Sequence, residues 1–231
     1  SHMRRTAKRY SLKRLQRADV VLSKTGTIIL AHPPCLKSDL TLRALLERLL
    51  TFNTTNPHNA IGVKLDFKDP NAVSASIDLT KQLWVAMEAP VWLNADVLVG
   101  PGRKPCLFDA HHFVQTCVNK IPTATLSLGW TTCSVHIERR YTDDDVTAMI
   151  QLCEHHQLQG VTFAVAASYA ELSSPMIDRL LMQPQSTITF WGKSDKVTAD
   201  FMKKVDATRV HIDTKASTLT LRAWMGMCRL L

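Results

Sequence analysis

Short apolar runs alternate along the chain with longer stretches whose apolar residues recur at helical spacing. The first clear strand covers residues 27–31, and Gly26 supplies the turn before it. The first helix covers residues 40–50, where Leu42, Leu45 and Leu49 share one face. The pattern then repeats, with predicted strands at 61–68, 91–98, 123–130, 161–166, 187–191 and 210–213, and predicted helices at 74–85, 109–119, 142–155, 174–182, 199–205 and 218–230.

Strands that alternate with helices are typical of βα units and of a parallel sheet. The pattern gives seven strands from residue 27 onward, and residues 20–22 either add an eighth strand or form a hairpin with the strand at 27. No G-x-G-x-x-G follows a strand, which disfavours a dinucleotide-binding fold. We therefore predict an α/β protein with a TIM-type (β/α) barrel, formed as a single domain by residues 18–231.

The net charge of +8 is concentrated at the beginning of the chain. Residues 1–17 hold seven of the 28 basic residues and no acidic one, so the rest of the chain carries 21 basic and 20 acidic residues. We interpret residues 1–17 as a basic N-terminal arm that includes a cloning scar, Ser1-His2-Met3. Such an arm binds the phosphates of nucleic acid or an anionic membrane surface, or it is a solubilising helix face.

Cysteine and histidine spacings give no metal motif. None of the six cysteines has C-x-x-C spacing, and we expect mostly reduced, buried thiols in an intracellular, cytoplasmic protein. The arginine-rich, acid-free start also resembles an organelle transit segment, so organelle targeting stays open. The pairs His111-His112 and His155-His156 lack helical i, i+4 spacing, so we expect no histidine zinc site. No apolar run reaches about 18 residues, so we expect no transmembrane segment.

Charged side chains interrupt one predicted strand with a period of two. Lys64, Asp66 and Lys68 alternate with Leu65 and Phe67, so the three charges share one face of the strand. Charges inside a barrel must pair or bind something, which indicates a metal or phosphate site. The alternative is an edge strand with a solvated face.

Further candidates lie near the C-terminal ends of other strands, where a barrel carries its active site. Asn94 and Asp96 face the same way inside an otherwise apolar strand. Trp130 ends a strand, and Gly129 before it permits close approach of a ligand or a neighbouring backbone. His32 ends the first clear strand and is followed by two prolines that fix the turn; a structural histidine is the alternative.

Four sequence blocks resemble, in order and spacing, the signature blocks of the menorin family. They are Ala31-His32-Pro33-Pro34, Gly62-Val63-Lys64-Leu65-Asp66-Phe67-Lys68, Pro90-Val91-Trp92-Leu93-Asn94-Ala95-Asp96-Val97-Leu98 and Leu126-Ser127-Leu128-Gly129-Trp130-Thr131-Thr132. The resemblance extends over residues 11–214. Menorins in turn resemble the phospholipase C-like and glycerophosphodiester phosphodiesterase superfamily, so the resemblance also implies a TIM barrel.

The resemblance implies roles for individual residues. Asp19 and Asp66 correspond to acids that bind one divalent cation, Mg²⁺ or Ca²⁺, and His32 corresponds to a general acid or base. Lys68 corresponds to a phosphate-contacting lysine, and we add Asp96 to this catalytic set. A hard cation with carboxylate ligands neutralises phosphoryl charge, and an imidazole moves the proton. The expected substrate-binding residues are Lys64, Asn94, Trp130 and Arg17.

Three positions depart from the family pattern. Arg17 stands where the family has a metal-binding Glu, and Ala166 stands where it has an Arg. The family's first strand carries a catalytic His, and too few residues precede Arg17 to match it. Either the true N-terminus is absent or the site is degraded, and the first barrel strand is missing or irregular. We expect Arg17 to pair with Asp19 and Asp66, to lower their pKa values and to make the divalent cation dispensable.

These observations leave three functional hypotheses. The resemblance implies a phosphodiesterase that acts on a phosphodiester or a cyclic phosphate, and an RNA end with a 2′,3′-cyclic phosphate suits the basic arm. The alternative is a catalytically inactive family member that binds a ligand or partner through the same cleft, since three family positions are lost. A third hypothesis is a nucleic-acid-binding protein led by its arm.

Overall fold

A computed structural model describes residues 15–84, 89–132, 140–192 and 205–213. The strands are β1 (Leu15–Leu22), β2 (Ile28–Leu30), β3 (Gly62–Phe67), β4 (Val91–Val99), β5 (Thr125–Thr131), β6 (Thr162–Ala166), β7 (Thr187–Trp191) and β8 (Val210–Asp213). The helices are α1 (Leu42–Thr55), α2 (Val73–Trp84), α3 (Ala110–Lys120), α4 (Asp143–His155) and α5 (Ser174–Leu181). The predicted helices that begin at residues 199 and 218, and residues 1–14 of the arm, lie outside the described residues.

The eight strands form one curled sheet in the order β2-β1-β3-β4-β5-β6-β7-β8. Every neighbouring pair from β1 to β8 is parallel, and β2 runs antiparallel to β1. Both alternatives for residues 20–22 hold at once, because β1 forms a hairpin with β2 and also pairs with β3. β1 begins at Leu15, so Arg17 is a strand residue rather than part of a free arm.

The sheet is a half-barrel, which is compatible with the predicted TIM-like fold but is not a closed barrel. In the described part of the chain no backbone pairing joins β8 to β1, because β2 occupies the edge of β1 that would meet β8. Side chains bridge this gap instead: Asp213 at the end of β8 lies 3.4 Å from Arg17 Nη1 and 2.7 Å from Lys64 Nζ. The α/β class and the parallel βα units are confirmed.

Side chains alternate between the two faces of the sheet. One face packs on the helices and forms the core; its residues include Ala18, Leu65, Leu93, Leu128, Phe163 and Ile188. The other face, called the inner face here, carries a row of polar residues that cross-strand pairing aligns over five strands. This row is Asp19, Asp66, Asn94, Ser127 and Thr162. The row lies inside the curl of the sheet, and two of its residues, Asp66 and Asn94, line a cavity there.

The helices begin at short polar caps. Thr41, Asp109 and Thr142 each accept a hydrogen bond from a backbone N–H in the first turn of α1, α3 and α4. Three consecutive acids open α4, where the positive end of the helix dipole favours them. Within the described ranges, no helix has the length and apolar character needed to cross a membrane.

Four cysteines fall within the described ranges, and all four are free thiols. Cys117 and Cys153 are buried, and burial raises the pKa of each thiol to about 12. Cys106 is half-buried and Cys35 is exposed. The expectation of buried thiols therefore applies to two of these four cysteines.

Candidate active site

A cavity of about 360 Å³ lies at the C-terminal ends of the strands, on the inner face. It brings together seven residues that the sequence singled out: Arg17, His32, Lys64, Asp66, Lys68, Asn94 and Asp96. The lining also includes residues that sequence reasoning missed, among them Lys104, Thr131, Trp191 and Asp213. Convergence at strand ends is the arrangement that a (β/α) barrel predicts, and the half-barrel keeps it.

Asp66 is the centre of a hydrogen-bond network. Its strand β3 lies between β1 and β4 and is buried at every residue, so the edge-strand alternative is wrong. Asp66 Oδ1 accepts hydrogen bonds from Lys68 Nζ at 2.6 Å and Asn94 Nδ2 at 2.8 Å. Burial alone raises the pKa of Asp66, but Lys68 and then Arg17 outweigh burial and hold this pKa far below its ordinary value.

Arg17 extends from β1 into the same network, as the departure from the family pattern predicted. Its Nη2 donates to Asp66 Oδ2 at 2.8 Å and to Asp19 Oδ1 at 3.1 Å, and its Nη1 donates to Asp213 Oδ1 at 3.4 Å. Burial opposes the charge on Arg17, but Asp66 and the other two carboxylates outweigh burial and raise the pKa of the guanidinium. A permanent positive charge is therefore fixed among three acids.

The expected lowering of the aspartate pKa values is confirmed for Asp66 and wrong for Asp19. Burial, followed by the charge of Asp66, raises the pKa of Asp19 against the opposing effect of Arg17. Both carboxylates share Arg17 Nη2, and Asp66 lies closer to it. Asp66 also bonds to Lys68, so Asp66 takes most of the available positive charge.

Lys64 and Asp213 form a second ion pair in the cavity wall. Lys64 Nζ lies 2.7 Å from Asp213 Oδ2, and both side chains are about 5% exposed or less. Asp213 ends β8, so the rule that selects polar residues at strand ends would have found it. Lys104 lies in the loop after β4, where neither periodicity nor a strand end marks it.

Asp96 differs from the other acids of the cavity. Its carboxyl makes no ion pair or hydrogen bond with any residue that the structure describes. Burial raises the pKa of Asp96 to about 6, and Lys68 opposes this rise. Gly129 makes room for the carboxyl, because a Cβ at this glycine would lie 2.8 Å from Asp96 Oδ1. The neighbouring backbone predicted at Gly129 is also present, because the same Cβ would lie 3.3 Å from the carbonyl oxygen of Ala164.

Two further hydrogen bonds orient the cavity residues. His32 Nδ1 lies 2.7 Å from the carbonyl oxygen of Pro33. Because a carbonyl can only accept, Nδ1 carries a proton, and Nε2 is the nitrogen left to exchange one. Asn94 Oδ1 accepts from Ser127 Oγ at 2.6 Å while its amide nitrogen donates to Asp66. Asn94 is therefore fixed between two strands and positions Asp66.

The structure does not bring Trp130 to the cavity, which corrects its prediction as a substrate-binding residue. Trp130 is 1% exposed and belongs to the core. Its Nε1 donates to the carbonyl oxygen of Asp145, and its ring lies 4.9 Å from the ring of Tyr141. The period of two explains this placement, because Gly129 and Thr131 on either side of Trp130 take the inner face.

The residues at the expected metal position do not fit a divalent cation. Mg²⁺ and Ca²⁺ need several free oxygen ligands, but both oxygens of Asp66 already accept from nitrogen donors. Arg17 bonds Asp66 and Asp19 together, where a shared ion would bind both. Within the described ranges, the convergent group of three potential metal ligands lies at the start of α3 and the end of α4, and none of the three lines this cavity.

The fold and the cavity define a class of protein: a parallel α/β half-barrel with a charged cleft at its strand ends. The profile of the Menorin N-terminal domain matches residues 5–219, and the chain belongs to the menorin family. The chain is also similar to the protein FAM151B of Homo sapiens, with 34% identity over 207 residues. That match covers 86% of this chain and 71% of the human protein. The family resemblance seen in the sequence is confirmed.

Proposed function

We propose that the cleft binds a phosphate ester and hydrolyses a phosphodiester or a cyclic phosphate, with Asp96 and His32 moving the protons. The carboxyl of Asp96 carries this proposal. It lines the cavity without a hydrogen bond or ion pair to any described residue, and burial brings its pKa to about 6. A carboxyl whose pKa approaches neutrality inside a cleft is typical of a general acid or base.

The surroundings of Asp96 and of His32 determine which residue accepts a proton and which donates one. Asp96 is ionised above about pH 6 and accepts the proton of the attacking water. The water oxygen forms a bond to phosphorus as the bond between phosphorus and the leaving oxygen breaks. His32 Nε2 gives a proton to that leaving oxygen, while Nδ1 stays bonded to Pro33. With a 2′,3′-cyclic phosphate, the leaving oxygen is a ribose oxygen, and the product is a phosphate monoester.

Positive charge for the phosphoryl group comes from side chains in this proposal. Arg17 and Lys68 remain cationic because neighbouring carboxylates raise the pKa of each despite burial. Lys104 lines the cavity and is exposed. It has no ion pair with a residue that the structure describes, so it is free to contact a phosphate oxygen. We propose that Arg17 takes the electrostatic role of the expected divalent cation.

A catalytically inactive, ligand-binding protein is the second candidate. Arg17, Lys64 and Lys68 are each bonded to an aspartate, so the cleft is already neutralised from within. In that case a phosphate ligand binds through Lys104 and is not turned over. The proposed role of the basic arm in nucleic-acid binding stays a prediction, since residues 1–14 lie outside the described ranges.

Hydrolysis of 2′,3′-cyclic AMP, and of a short RNA that ends in a 2′,3′-cyclic phosphate, tests the proposal in the presence of EDTA. We expect turnover by the full chain and a loss of about 100-fold or more in Asp96→Asn and His32→Gln. His58→Gln is the matched control, because His58 is exposed and precedes β3 at the end away from the cavity. Binding of 2′-AMP without turnover supports the second candidate, and the absence of both contradicts both.

A further inference from the structure

Three histidines converge on the helical side of the molecule, where the start of α3 faces the end of α4. His111 lies in the first turn of α3, His155 is the last residue of α4, and His156 follows it as the C-cap. Each ring offers a nitrogen, and these nitrogens all lie within 4.8 Å of one another. The ring centroids are 4.8 to 5.2 Å apart, and His111 Nδ1 is 3.1 Å from His156 Nε2.

The backbone positions of these histidines are fixed by the helix ends. Asp109 caps α3 by accepting from the backbone N–H of His112 at 2.9 Å. At the end of α4, Gln157 adopts φ 51°, and its N–H donates to the carbonyl oxygen of Glu154 at 3.0 Å. These hydrogen bonds do not involve the imidazoles. The three rings therefore need only side-chain rotations to change their mutual distances.

The chemistry of the group points to a metal ion of intermediate softness. The three potential ligand atoms are imidazole nitrogens, and no carboxylate belongs to the group in the described ranges. Imidazole binds Zn²⁺, Cu²⁺ and Ni²⁺, whereas Mg²⁺ and Ca²⁺ prefer oxygen. A bound cation would also lie beside the C-terminal end of α4, whose partial negative charge favours it.

The distances suit such an ion after a small adjustment. A tetrahedral zinc ion with Zn–N bonds of about 2.0–2.1 Å holds its ligand nitrogens about 3.4 Å apart. The closest pair, His111 Nδ1 and His156 Nε2, is already at 3.1 Å. His155 must move its nitrogen inward, and this side chain is exposed and free to rotate.

We propose that His111, His155 and His156 form a three-imidazole site for Zn²⁺ or a similar transition metal ion, which clamps α3 to α4 and leaves a fourth position open. The adjacent pairs in the sequence gave no sign of it, because the ligand set combines residues from two helices. The proposal is independent of the phosphate cleft, since α3 and α4 lie on the opposite side of the sheet from the inner face. The bound ion would link the helices that follow β4 and β5.

Metal titration of the full chain, freed of any purification tag, tests the site. We expect one Zn²⁺ per chain by competition with a chromophoric chelator, and Co²⁺ absorption typical of tetrahedral coordination. His111→Gln and His155→Gln should each weaken Zn²⁺ binding by about tenfold or more. Zn²⁺ should also raise the melting temperature of the wild type and not that of these variants.

His112→Gln is the matched control, because His112 is exposed, adjacent to His111 and outside the group. It should bind Zn²⁺ as the wild type does. Equal melting temperatures of the wild type and the histidine variants in EDTA show that these substitutions leave the fold intact. The proposal is overturned if the wild type binds no Zn²⁺, or if His112→Gln weakens binding as much as His155→Gln does.

Discussion

The inner face of the sheet has two halves with different chemistry. The charged half, on β1, β3, β4 and the end of β8, carries Arg17, Asp19, Lys64, Asp66, Asp96 and Asp213. The neutral half, on β5 to β7, carries Ser127, Gly129, Thr162, Ala164 and Thr189. Buried charged groups are stable only when groups of opposite charge pair with them, whereas a buried hydroxyl needs one hydrogen-bond partner. In the proposed function, the charged half holds the phosphate, and Ala164 of the neutral half lines the same cavity.

The largest difference between the halves should be in stability. Asp66→Asn leaves Arg17 and Lys68 without their shared carboxylate, and we expect the free energy of unfolding to fall by about 3–5 kcal/mol. Thr189→Val in the neutral half breaks the 2.7 Å hydrogen bond with Thr162 and should cost about 1–2 kcal/mol. Urea unfolding at pH 7 measures both, and a larger loss in Thr189→Val contradicts the comparison.

Gly129 joins the two halves, and a methyl group there should impair turnover more than stability. Because the added Cβ would lie 2.8 Å from Asp96 Oδ1, the carboxyl must move. A displacement of about 1 Å can reduce turnover about 100-fold, which is the loss we expect in kcat for Gly129→Ala. Thr125→Ala, at the other end of β5, should keep wild-type kcat. Equal kcat values in the two variants would mean that Asp96 is not at the reaction centre.

The pKa of Asp96 predicts a pH dependence for stability. Between its ordinary value of 3.8 and about 6, the folded protein retains a proton that the unfolded chain releases. Wild-type stability therefore decreases as pH rises through this window. Asp96→Asn removes the effect, so it should be on the order of 1–2 kcal/mol more stable than the wild type at pH 7.5 and equal to it at pH 3.5. A gain that does not change with pH contradicts the assignment.

The same group should shape the activity profile. If ionised Asp96 is the base, kcat/KM for a cyclic phosphate rises with pH up to about 6. The residual activity of Asp96→Asn should lack this rising limb. A wild-type profile that is flat between pH 5 and 7, or an unchanged limb in Asp96→Asn, would remove Asp96 from the proton transfer.

The smallest expected effect concerns Lys104, an exposed residue that lines the cavity. Lys104→Ala removes an exposed cation that lines the cavity, so we expect KM to rise about fivefold at low salt with little change in kcat. The difference should shrink as salt is added. Lys81→Ala on α2 is the matched control, because Lys81 is also exposed and lies in the helical layer. A salt-independent effect, or one shared by Lys81→Ala, would argue against a phosphate contact.

The sequence predicted what depends on local periodicity. Alternation along β3 and β4 placed Lys64, Asp66, Asn94 and Asp96 on one face, and the parallel register sets Arg17 beside Lys64 and Asp19 beside Asp66. The same rule, applied to β5, places Gly129 and Thr131 on one face of the strand and Trp130 on the other. The wrong prediction that Trp130 binds substrate was therefore avoidable. Helices and strands were predictable because the period of their hydrophobic residues is visible within a short stretch of neighbouring residues.

Other features depend on contacts between distant segments. In the described residues the sheet stays open between β1 and β8 because β2 folds back onto the edge of β1, an arrangement that no single strand pattern reveals. The pKa of Asp96 comes from burial in the assembled cavity, and the three-histidine group comes from two helix ends. Sequence patterns identify which residues are polar and which of them share a face of one element. The distances between residues on different elements are known only from the folded structure.

Calorimetric titration with Mg²⁺ and Ca²⁺ tests the central proposal that Arg17 takes the electrostatic role of the divalent cation that the family resemblance implies. Imidazole binds these ions weakly, so the three histidines do not interfere. We predict no binding at millimolar ion concentrations by the wild type, and one site per chain in Arg17→Glu that is lost again when Asp66→Asn is added. Stoichiometric Mg²⁺ or Ca²⁺ binding by the wild type, abolished by Asp66→Asn alone, would contradict the claim and return the metal ion to Asp19 and Asp66.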